Sequence, residues 1–411
     1  MSEPQYDLVV FGATSFVGQI LSRYLTENFG TKGDLKWAAA GRSQAKLDEL
    51  KRSLGRKATE LPLLVADAAD EGSLATLCSK TRVVISTVGP YALYGEPLVK
   101  VCAETGTDYC DLTGEVQWIK KMIERYEATA IASGARIVHC CGFDSIPSDM
   151  GVFFLQQQAR ERFDEPCTRV KMRVKAAKGG MSGGTVASLM NVVKEAAGNP
   201  GLRKELANPY SLCPPNHSFI ARQPNLKSGA FDDDFNAWIT PFIMAAINTR
   251  VVHRSNALLG KAYGSGFIYE EAMLTGRGVK GRMAAYGIAG AIGSFMVASV
   301  MKPSRWVLER FMLPKPGEGP SLEAQKAGFF DIRFVGKTAS GKTLRAKVTG
   351  DQDPGYGSTG KMLGQAGVCL ALDLPKVEKA GGFWTPSTAF GDKLLTRLTR
   401  YSGLKFEVLE S

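Results

Sequence analysis

The sequence predicts an α/β protein: a doubly wound parallel sheet in the N-terminal third, followed by an α+β second domain. Three observations predict this fold. Apolar runs alternate with amphipathic stretches from residue 7 to residue 141, a glycine-containing turn separates the first strand from the first helix, and 411 residues are too many for one ordinary core. We therefore expect one domain over residues 1–148 and a second, for substrate binding and dimerisation, over residues 149–411.

The first strand and helix are the best-marked elements of the N-terminal domain. Residues 7–11 (DLVVF) form a short buried strand, and apolar residues then recur at helical spacing from Phe16 to Leu25 until Gly30 ends the helix. Further strands are predicted at 35–40, 61–66, 82–87, 107–112 and 136–140. A helical segment separates each pair, so the six strands should form a parallel sheet with helical crossovers.

The turn GATSFVG between the first strand and the first helix is typical of a dinucleotide-binding Rossmann domain. Gly12 allows a tight turn, Ser15 replaces the glycine that usually approaches the diphosphate, and Gly18 allows the helix to pack on the sheet. A diphosphate would then bind the free N–H groups at the start of the helix. The alternative is a tight structural turn. The cofactor-binding residues expected here are Gly12, Ala13, Thr14, Ser15, Phe16, Val17 and Gly18.

The end of the second strand indicates which nicotinamide cofactor is bound. NAD-dependent enzymes usually place a carboxylate here to bind the ribose 2′-hydroxyl, whereas this segment reads AAAGRS. Arg42 and Ser43 could instead bind a 2′-phosphate, which favours NADP over NAD; the alternative is a solvent-facing arginine. Asp67, at the end of the third strand, could face the adenine or cap a helix.

The nicotinamide end of the cofactor should lie at the carboxyl ends of strands four to six. Thr87, Gly89 and Pro90 follow the fourth strand and are expected to contact the cofactor. Two candidate catalytic residues lie here. Tyr91 could donate a proton, with aromatic packing as its alternative, and Asp144 could orient substrate, with helix capping as its alternative.

Other polar residues at these strand ends have structural interpretations too. Glu115 could be a capping carboxylate, Asp149 could orient substrate or cap the following helix, and His139 fits a core position better than a catalytic one. Tyr94 is a second candidate acid with aromatic packing as its alternative.

Composition and spacing exclude several classes of function. Eight cysteines form no CxxC pair and only three histidines occur, so we expect no metal site, no disulfide framework and no Ser-His-Asp triad. The segment GYGSTGK at 355–361 lacks the hydroxyl that follows lysine in a phosphate-binding P-loop, because Met362 stands there. A net charge of +11 without a basic run allows a phosphate-bearing cofactor, an acidic substrate or a lipid surface, and does not favour nucleic acid.

Five motifs together resemble the saccharopine dehydrogenase-like oxidoreductase family. In the family's order they are GATSFVG, AGRS, VGPYALYGEPLVKVCAETGTDYCDLTGE, CGFDSIPSDMG and GDQDPGYGSTGKMLGQAG. The resemblance implies a Rossmann domain, a second α+β domain and hydride transfer from NADP. One branch is similar to the bacterial trans-acting enoyl reductases, which reduce double bonds in polyketide-derived lipid chains; the animal members are associated with lipid droplets and membranes. True saccharopine-forming enzymes carry a GLDPG-type segment where this chain has GFDSIPSD.

Three functions therefore stay open. The first is an NADP-dependent reductase of a lipid or acyl-type substrate. The second is a saccharopine- or opine-type amino-acid dehydrogenase, with Arg173, Lys175 and Lys178 available for substrate carboxylates. The third is a non-catalytic nucleotide-binding protein at a lipid surface.

The second domain contains an unusual apolar segment. Residues 283–301 carry no charge, and we consider three interpretations: a buried or dimer-interface helix, a membrane-surface or acyl-channel element, and a membrane span. The chain start carries no secretion signature, so we expect a cytoplasmic protein with possible membrane association. The turn GGMSGG at 179–184 is either a second phosphate cradle or a helix start.

Overall fold

A computed structural model describes residues 4–179, 183–300 and 319–410. These residues divide into two compact units. The first contains residues 4–146, 319–320 and 355–403, and the second contains 147–179, 183–300, 321–354 and 404–410. Residues 180–182, half of the GGMSGG turn, and Met301, the last residue of the apolar segment, lie outside the described residues.

The first unit is built on a sheet of seven parallel strands, which confirms the predicted α/β class. Its strands are β1 (Tyr6–Phe11), β2 (Trp37–Gly41), β3 (Leu63–Val65), β4 (Thr81–Ser86), β5 (Asp108–Asp111), β6 (Arg136–Val138) and β13 (Gly382–Trp384). They lie in the order β13-β6-β5-β4-β1-β2-β3. Strand β2 is buried along its whole length, as expected where helices cover both faces of a sheet.

Helices connect these strands, and their ends carry the expected capping residues. They are α1 (Phe16–Phe29), α2 (Gln44–Ser53), α3 (Glu71–Cys78), α4 (Tyr91–Tyr94), α5 (Glu96–Thr105) and α6 (Val116–Ser133). Asp70 caps α3 by accepting hydrogen bonds from the backbone N–H groups of Gly72 and Ser73. Gly106 and Gly134 end α5 and α6 in the left-handed conformation, with φ of 74° and 81°.

The C-terminal part of the chain returns to the first unit, which corrects the predicted division at residue 148. The returning segment contains α13 (Thr359–Val368), β13, α14 (Pro386–Phe390) and α15 (Asp392–Tyr401). Strand β13 pairs in parallel with β6, where Phe383 lies beside Ile137. The sequence does not predict this pairing, because the strand has only three residues and its partner lies more than 240 positions earlier in the chain.

The second unit is built on a mixed sheet of seven strands, as the predicted α+β domain requires. Its strands are β7 (Cys167–Lys178), β8 (Ala230–Asp232), β9 (Ala237–Pro241), β10 (Ile268–Gly276), β11 (Phe329–Thr338), β12 (Thr343–Gly350) and β14 (Lys405–Leu409). They lie in the order β14-β12-β11-β7-β10-β9-β8. Its helices are α7 (Ile146–Phe163), α8 (Gly183–Gly198), α9 (Pro200–Ala207), α10 (Ala245–Leu258), α11 (Gly278–Val300) and α12 (Leu322–Lys326).

Three elements of the second unit are not predicted from the sequence. Residues 198–235 are rich in proline, asparagine and aspartate, which predicts a loop, but they contain α9 and β8. Helix α9 begins after Asn199, whose side chain accepts a hydrogen bond from Leu202 N–H. Strand β10 is not predicted from the sequence, because two adjacent glutamates interrupt its apolar residues. One of them, Glu271, is buried, which is unusual for a carboxylate.

Candidate functional site

The turn between β1 and α1 has no room for side chains at either of its glycines. Gly12 adopts φ of 83°, and a Cβ atom there would lie 2.7 Å from Val88 Cγ2. A Cβ atom on Gly18 would lie 2.2 Å from the carbonyl oxygen of Gly12. Both positions therefore require glycine, as the dinucleotide fingerprint predicts.

Ser15 and Thr87 join the two predicted cofactor-binding segments. The Ser15 hydroxyl caps α1 by accepting a hydrogen bond from Gly18 N–H at 3.0 Å, and it lies 2.9 Å from the Thr87 hydroxyl. Thr87 in turn donates to the carbonyl oxygen of Gly12 at 2.9 Å. The end of β4 therefore holds the glycine turn in place.

The start of α1 has the donors that a diphosphate needs. Within the described part of the chain, the backbone N–H groups of Thr14, Phe16 and Val17 donate to no protein acceptor. The helix N-terminus adds a partial positive charge. Because Gly12 and Gly18 carry no side chains, the turn stays tight and its N–H groups stay accessible. The residues present therefore fit a dinucleotide.

The residues predicted to distinguish NADP from NAD follow β2. Arg42 is exposed, and none of the described residues forms an ion pair with it. Ser43 caps α2, accepting from Lys46 N–H at 3.4 Å. Asp67 does not cap α3, since Asp70 does; its carboxylate accepts from Ala69 N–H at 3.0 Å. The first unit thus presents an unpaired guanidinium at the predicted position.

Tyr91 is held firmly at the end of β4. Its hydroxyl donates to the carbonyl oxygen of Ser86 at 3.0 Å, and its ring lies 5.4 Å from that of Trp118. Burial, followed by the charge of Asp111, raises the pKa of the Tyr91 hydroxyl well above its usual value. This environment favours aromatic packing over proton donation.

Glu115 supports the same segment from the end of β5. Its buried carboxylate accepts hydrogen bonds from the backbone N–H groups of Tyr91, at 2.8 Å, and Ala92, at 2.9 Å. It therefore caps the short helix α4 rather than its own helix. Pro90 precedes α4 and Gly89 is exposed beside it, so both predicted contacts lie at the surface of the first unit.

Asp144 has the properties of a proton donor. It follows β6 and is half-buried, and among the described residues no donor hydrogen-bonds to its carboxyl group. Burial, with a contribution from the charge of Asp111, raises its pKa from 3.8 to about 7. A carboxyl group with this pKa is partly protonated near neutral pH and can donate a proton.

Asp111 and His139 form a buried pair that the sequence does not predict. Asp111 Oδ2 lies 2.7 Å from His139 Nδ1 and accepts from the Tyr109 hydroxyl at 2.9 Å. The His139 ring lies between those of Trp118, at 5.0 Å, and Phe383, at 5.6 Å. These contacts agree with the core role expected for His139. They also hold Asp111, whose charge contributes to the raised pKa of Asp144.

Asp149 belongs to the second unit and has a structural partner there. It lies in the first turn of α7 and accepts a hydrogen bond from the Ser255 hydroxyl of α10 at 2.5 Å. Nearby in the same unit, Glu271 accepts from Asn248 at 2.9 Å and from Tyr269 at 2.7 Å. Burial raises the pKa of Glu271 to about 7. This polar network joins α10 to β10 inside the unit.

The glycines in and after the GYGSTGK segment have a packing role. Its end begins α13, whose glycines lie against α1 and the parallel sheet. A Cβ atom on Gly360 would lie 2.8 Å from Ile20, and one on Gly367 would lie 2.3 Å from Ile85. Small residues at this spacing bring the helix close to the sheet.

Basic residues of the second unit do not all remain available for substrate. Arg173 is buried and paired with Asp232 at 2.6 Å. Lys175 lines a concave site of about 620 Å³, together with three arginines and several apolar residues. Those arginines are Arg277, Arg333 and Arg345. Arg333 is paired with Asp331 at 2.5 Å and 2.6 Å.

The described residues contain no cluster of histidine, cysteine, aspartate or glutamate suited to a metal ion. None of the eight cysteines forms a disulfide bond, and seven of them are buried.

The comparisons with known proteins agree with this architecture. Residues 8–138 match the saccharopine dehydrogenase NADP binding domain. Over 407 residues the chain is 35% identical to a trans-acting enoyl reductase of Mycobacterium bovis, covering 97% of this chain and 96% of that protein. A relative in Mycobacterium tuberculosis, to which the same activity is provisionally assigned, is 40% identical over 403 residues, covering 96% and 95%.

A solved structure shows a similar fold at low sequence identity. Saccharopine dehydrogenase (L-Glu forming) from Saccharomyces cerevisiae aligns with a TM-score of 0.54 and 12% identity, covering 98% of this chain and 99% of that one. This likeness concerns the fold alone.

Proposed function

This chain belongs to the saccharopine dehydrogenase-like oxidoreductases, in the family that includes the trans-acting enoyl reductases, and from this premise we propose that it is an NADPH-dependent enoyl reductase of a lipid or acyl-type substrate. The observation that carries the proposal is the combination of a dinucleotide turn with a half-buried carboxyl group, Asp144, whose pKa is about 7. Full-length relatives named as enoyl reductases support the reaction class.

The preference for NADPH rests on Arg42. Its guanidinium is exposed and lies directly after β2, where the ribose of a dinucleotide is bound in Rossmann domains. A 2′-phosphate would form a charge-assisted pair with it, and NADH offers no such group. Ser43 could add a hydroxyl contact while capping α2. We propose that Asp67, whose carboxylate accepts from Ala69 N–H, faces the adenine.

The reaction requires a hydride and a proton. When bound, NADPH supplies the hydride, which adds to the β carbon of the conjugated double bond. We propose that the carboxyl group of Asp144 donates the proton that adds to the α carbon. The hydride and this proton together replace the π bond of the double bond with two C–H bonds, and Asp144 is left as a carboxylate. Tyr91, the other candidate acid, already donates its hydroxyl to Ser86 O and positions the turn.

Two other functions are less well supported. An amino-acid dehydrogenase needs cations for substrate carboxylates. Of the three predicted for this role, Arg173 is buried and paired with Asp232, whereas Lys175 lines the concave site. A non-catalytic nucleotide-binding protein needs no proton donor, whereas Asp144 is half-buried and has a pKa raised to about 7, as is common at catalytic sites. Homodimerisation stays a prediction.

Consumption of NADPH tests the proposed function. The purified protein is mixed with NADPH and an α,β-unsaturated acyl thioester, and in parallel with NADPH, lysine and 2-oxoglutarate. We expect loss of absorbance at the nicotinamide band with the thioester alone. Turnover with the amino-acid pair would favour the dehydrogenase. Tight NADPH binding without turnover on either substrate class would favour the non-catalytic protein.

A further inference from the structure

Helix α11 exposes an unusually large apolar surface on the second unit. Among the described residues it is the one helix long and apolar enough to cross a membrane by length and composition, and only 11% of its most apolar window is buried. The exposed fractions reach 74% at Val279, 70% at Met283 and 62% at Val297. A helix in the core of its unit would be mostly buried, so residues 283–300 do not form a core helix; the dimer-interface interpretation stays a prediction.

Only a few residues on one side of the helix are buried against the rest of its unit. Gly281 and Ala285 are buried, and their carbonyl oxygens accept hydrogen bonds from the hydroxyls of Thr275 and Thr240, each at 2.9 Å. On other sides the surface is open: a Cβ atom on Gly287, Gly290 or Gly293 would meet no atom within 4 Å. The exposed residues are therefore presented outward by a fixed helix.

Basic and aromatic groups surround the first turns of α11. The guanidinium of Arg282 lies 5.4 Å from the centre of the Trp238 ring and 6.0 Å from that of Tyr286. Arg277 and Lys280 add two exposed cations beside them. Arginine, lysine, tryptophan and tyrosine are the residues that favour the headgroup region of a bilayer.

The chain segment that contains the helix carries charge of one sign. From residue 272 to residue 308 the sequence contains five lysines and arginines and no aspartate or glutamate. Positive charge next to an exposed apolar surface complements an anionic lipid bilayer, since each cation near such a surface adds to binding.

The sheet of the second unit excludes a simple span. Strand β10 ends just before α11, and β11 follows later in the chain, yet both pair with β7 in one sheet. A helix crossing the bilayer once would place these two strands on opposite sides. The helix must therefore enter and leave the bilayer from the same side.

We propose that α11 is a membrane-docking helix, which lies in one leaflet of an anionic bilayer with Arg277, Lys280 and Arg282 among the headgroups. At ~1.5 Å per residue its 23 residues are about 34 Å long. The inference does not depend on the proposed reaction. A protein that reduces lipids in solution without binding vesicles would overturn the docking proposal alone.

Flotation of the full-length protein with lipid vesicles tests the proposal. The vesicles contain phosphatidylcholine alone or with phosphatidylglycerol, at low and at high salt. We expect flotation with the anionic vesicles, weakened by salt and by Lys280→Gln, which should reduce binding about fivefold. Met283→Glu and Val297→Glu should each reduce binding at least about tenfold, because both apolar side chains leave the bilayer.

The matched control is Ile220→Glu, an apolar-to-acidic change at a side chain that is 95% exposed outside α11. It should float like the unchanged protein. Thermal unfolding verifies that all variants fold. Failure of the unchanged protein to float with anionic vesicles, or equal flotation of Val297→Glu, would overturn the proposal. A stable dimer in solution that Met283→Glu dissociates would instead identify the surface as an interface between two copies, which also overturns it.

Discussion

The α carbon of Gly18 lies so close to Gly12 that a Cβ atom on Gly18 would approach the Gly12 carbonyl oxygen to 2.2 Å. This contact closes the turn that should hold the diphosphate. Gly18→Ala should therefore lower NADPH affinity at least about tenfold, because the turn must open to relieve the contact. Calorimetric titration with NADPH measures the loss. The control is Gly287→Ala, where an added methyl group meets no atom within 4 Å. Equal affinity of the two variants would contradict the prediction.

Arg42 should determine the choice of cofactor. Arg42→Ala should weaken NADPH binding about tenfold or more and leave NADH binding unchanged, since a charge-assisted hydrogen bond to the 2′-phosphate is lost. Fluorescence titration with both nucleotides measures the preference. Arg52→Ala, another exposed arginine in the first unit, serves as the control and should change neither affinity. An unaltered preference in Arg42→Ala would place 2′-phosphate recognition elsewhere.

Asp144 should control the pH dependence of turnover. Its carboxyl group is protonated below a pKa of about 7, so kcat should fall as pH rises through that value. Asp144→Asn should reduce kcat about a hundredfold or more and remove this limb of the profile. Stopped-flow or steady-state measurement of kcat over a pH series tests both effects. A normal rate in Asp144→Asn would exclude it as the proton donor.

The same residue should also make the stability of the protein depend on pH. Because its pKa is raised in the folded state, the folded protein holds this proton more tightly than the unfolded chain does. The stabilising contribution is complete below a pH of about 4, near the unfolded pKa, and is lost as pH rises through about 7. Asp144→Asn should therefore gain thermal stability relative to the unchanged protein as pH is raised from acidic to neutral. A difference in Tm that does not vary with pH would contradict the raised pKa.

Gly367 tests the packing role of α13. Gly367→Ala would place a methyl group 2.3 Å from Ile85 Cδ1 and should cost about 1–3 kcal/mol of unfolding free energy. Gly290→Ala, in an open part of helix α11, should be neutral or stabilising because alanine favours a helix. Denaturant unfolding compares the two changes. A Gly367→Ala variant as stable as Gly290→Ala would argue against close packing on the sheet.

Local sequence patterns predict the nucleotide-binding turn, but they do not predict contacts between residues that lie far apart in the chain. The strand–turn–helix unit around Gly12 is recognisable because strand, glycines and helix follow one another directly. The pairing of β13 with β6 carries no such signal, because three residues near the end of the chain complete a sheet begun at its start. For the same reason the sequence placed residues 355–403 with the second domain.

The sequence does not reveal the hydrogen-bond partners of buried side chains either. The Asp111–His139 pair joins the ends of two strands, and the spacing of the two residues in sequence does not reveal it. The sequence predicts that Glu115 caps a helix, and it does. The helix is α4, however, whose Tyr91 and Ala92 N–H groups lie more than 20 residues earlier in the chain. Exposure of α11 could not be deduced from composition, since a buried helix and an exposed one have the same apolar pattern.

Transfer of deuterium from NADPH deuterated at the nicotinamide C4 position tests the central claim most directly. The full-length protein is incubated with this cofactor, carrying the label on each face in turn, and an α,β-unsaturated acyl thioester, and the product is analysed by mass spectrometry. We expect a saturated acyl thioester with one deuterium at the β carbon from one of the two cofactors, and a solvent proton at the α carbon. Recovery of the unsaturated thioester, with both cofactors still reduced, would contradict the assignment as an enoyl reductase.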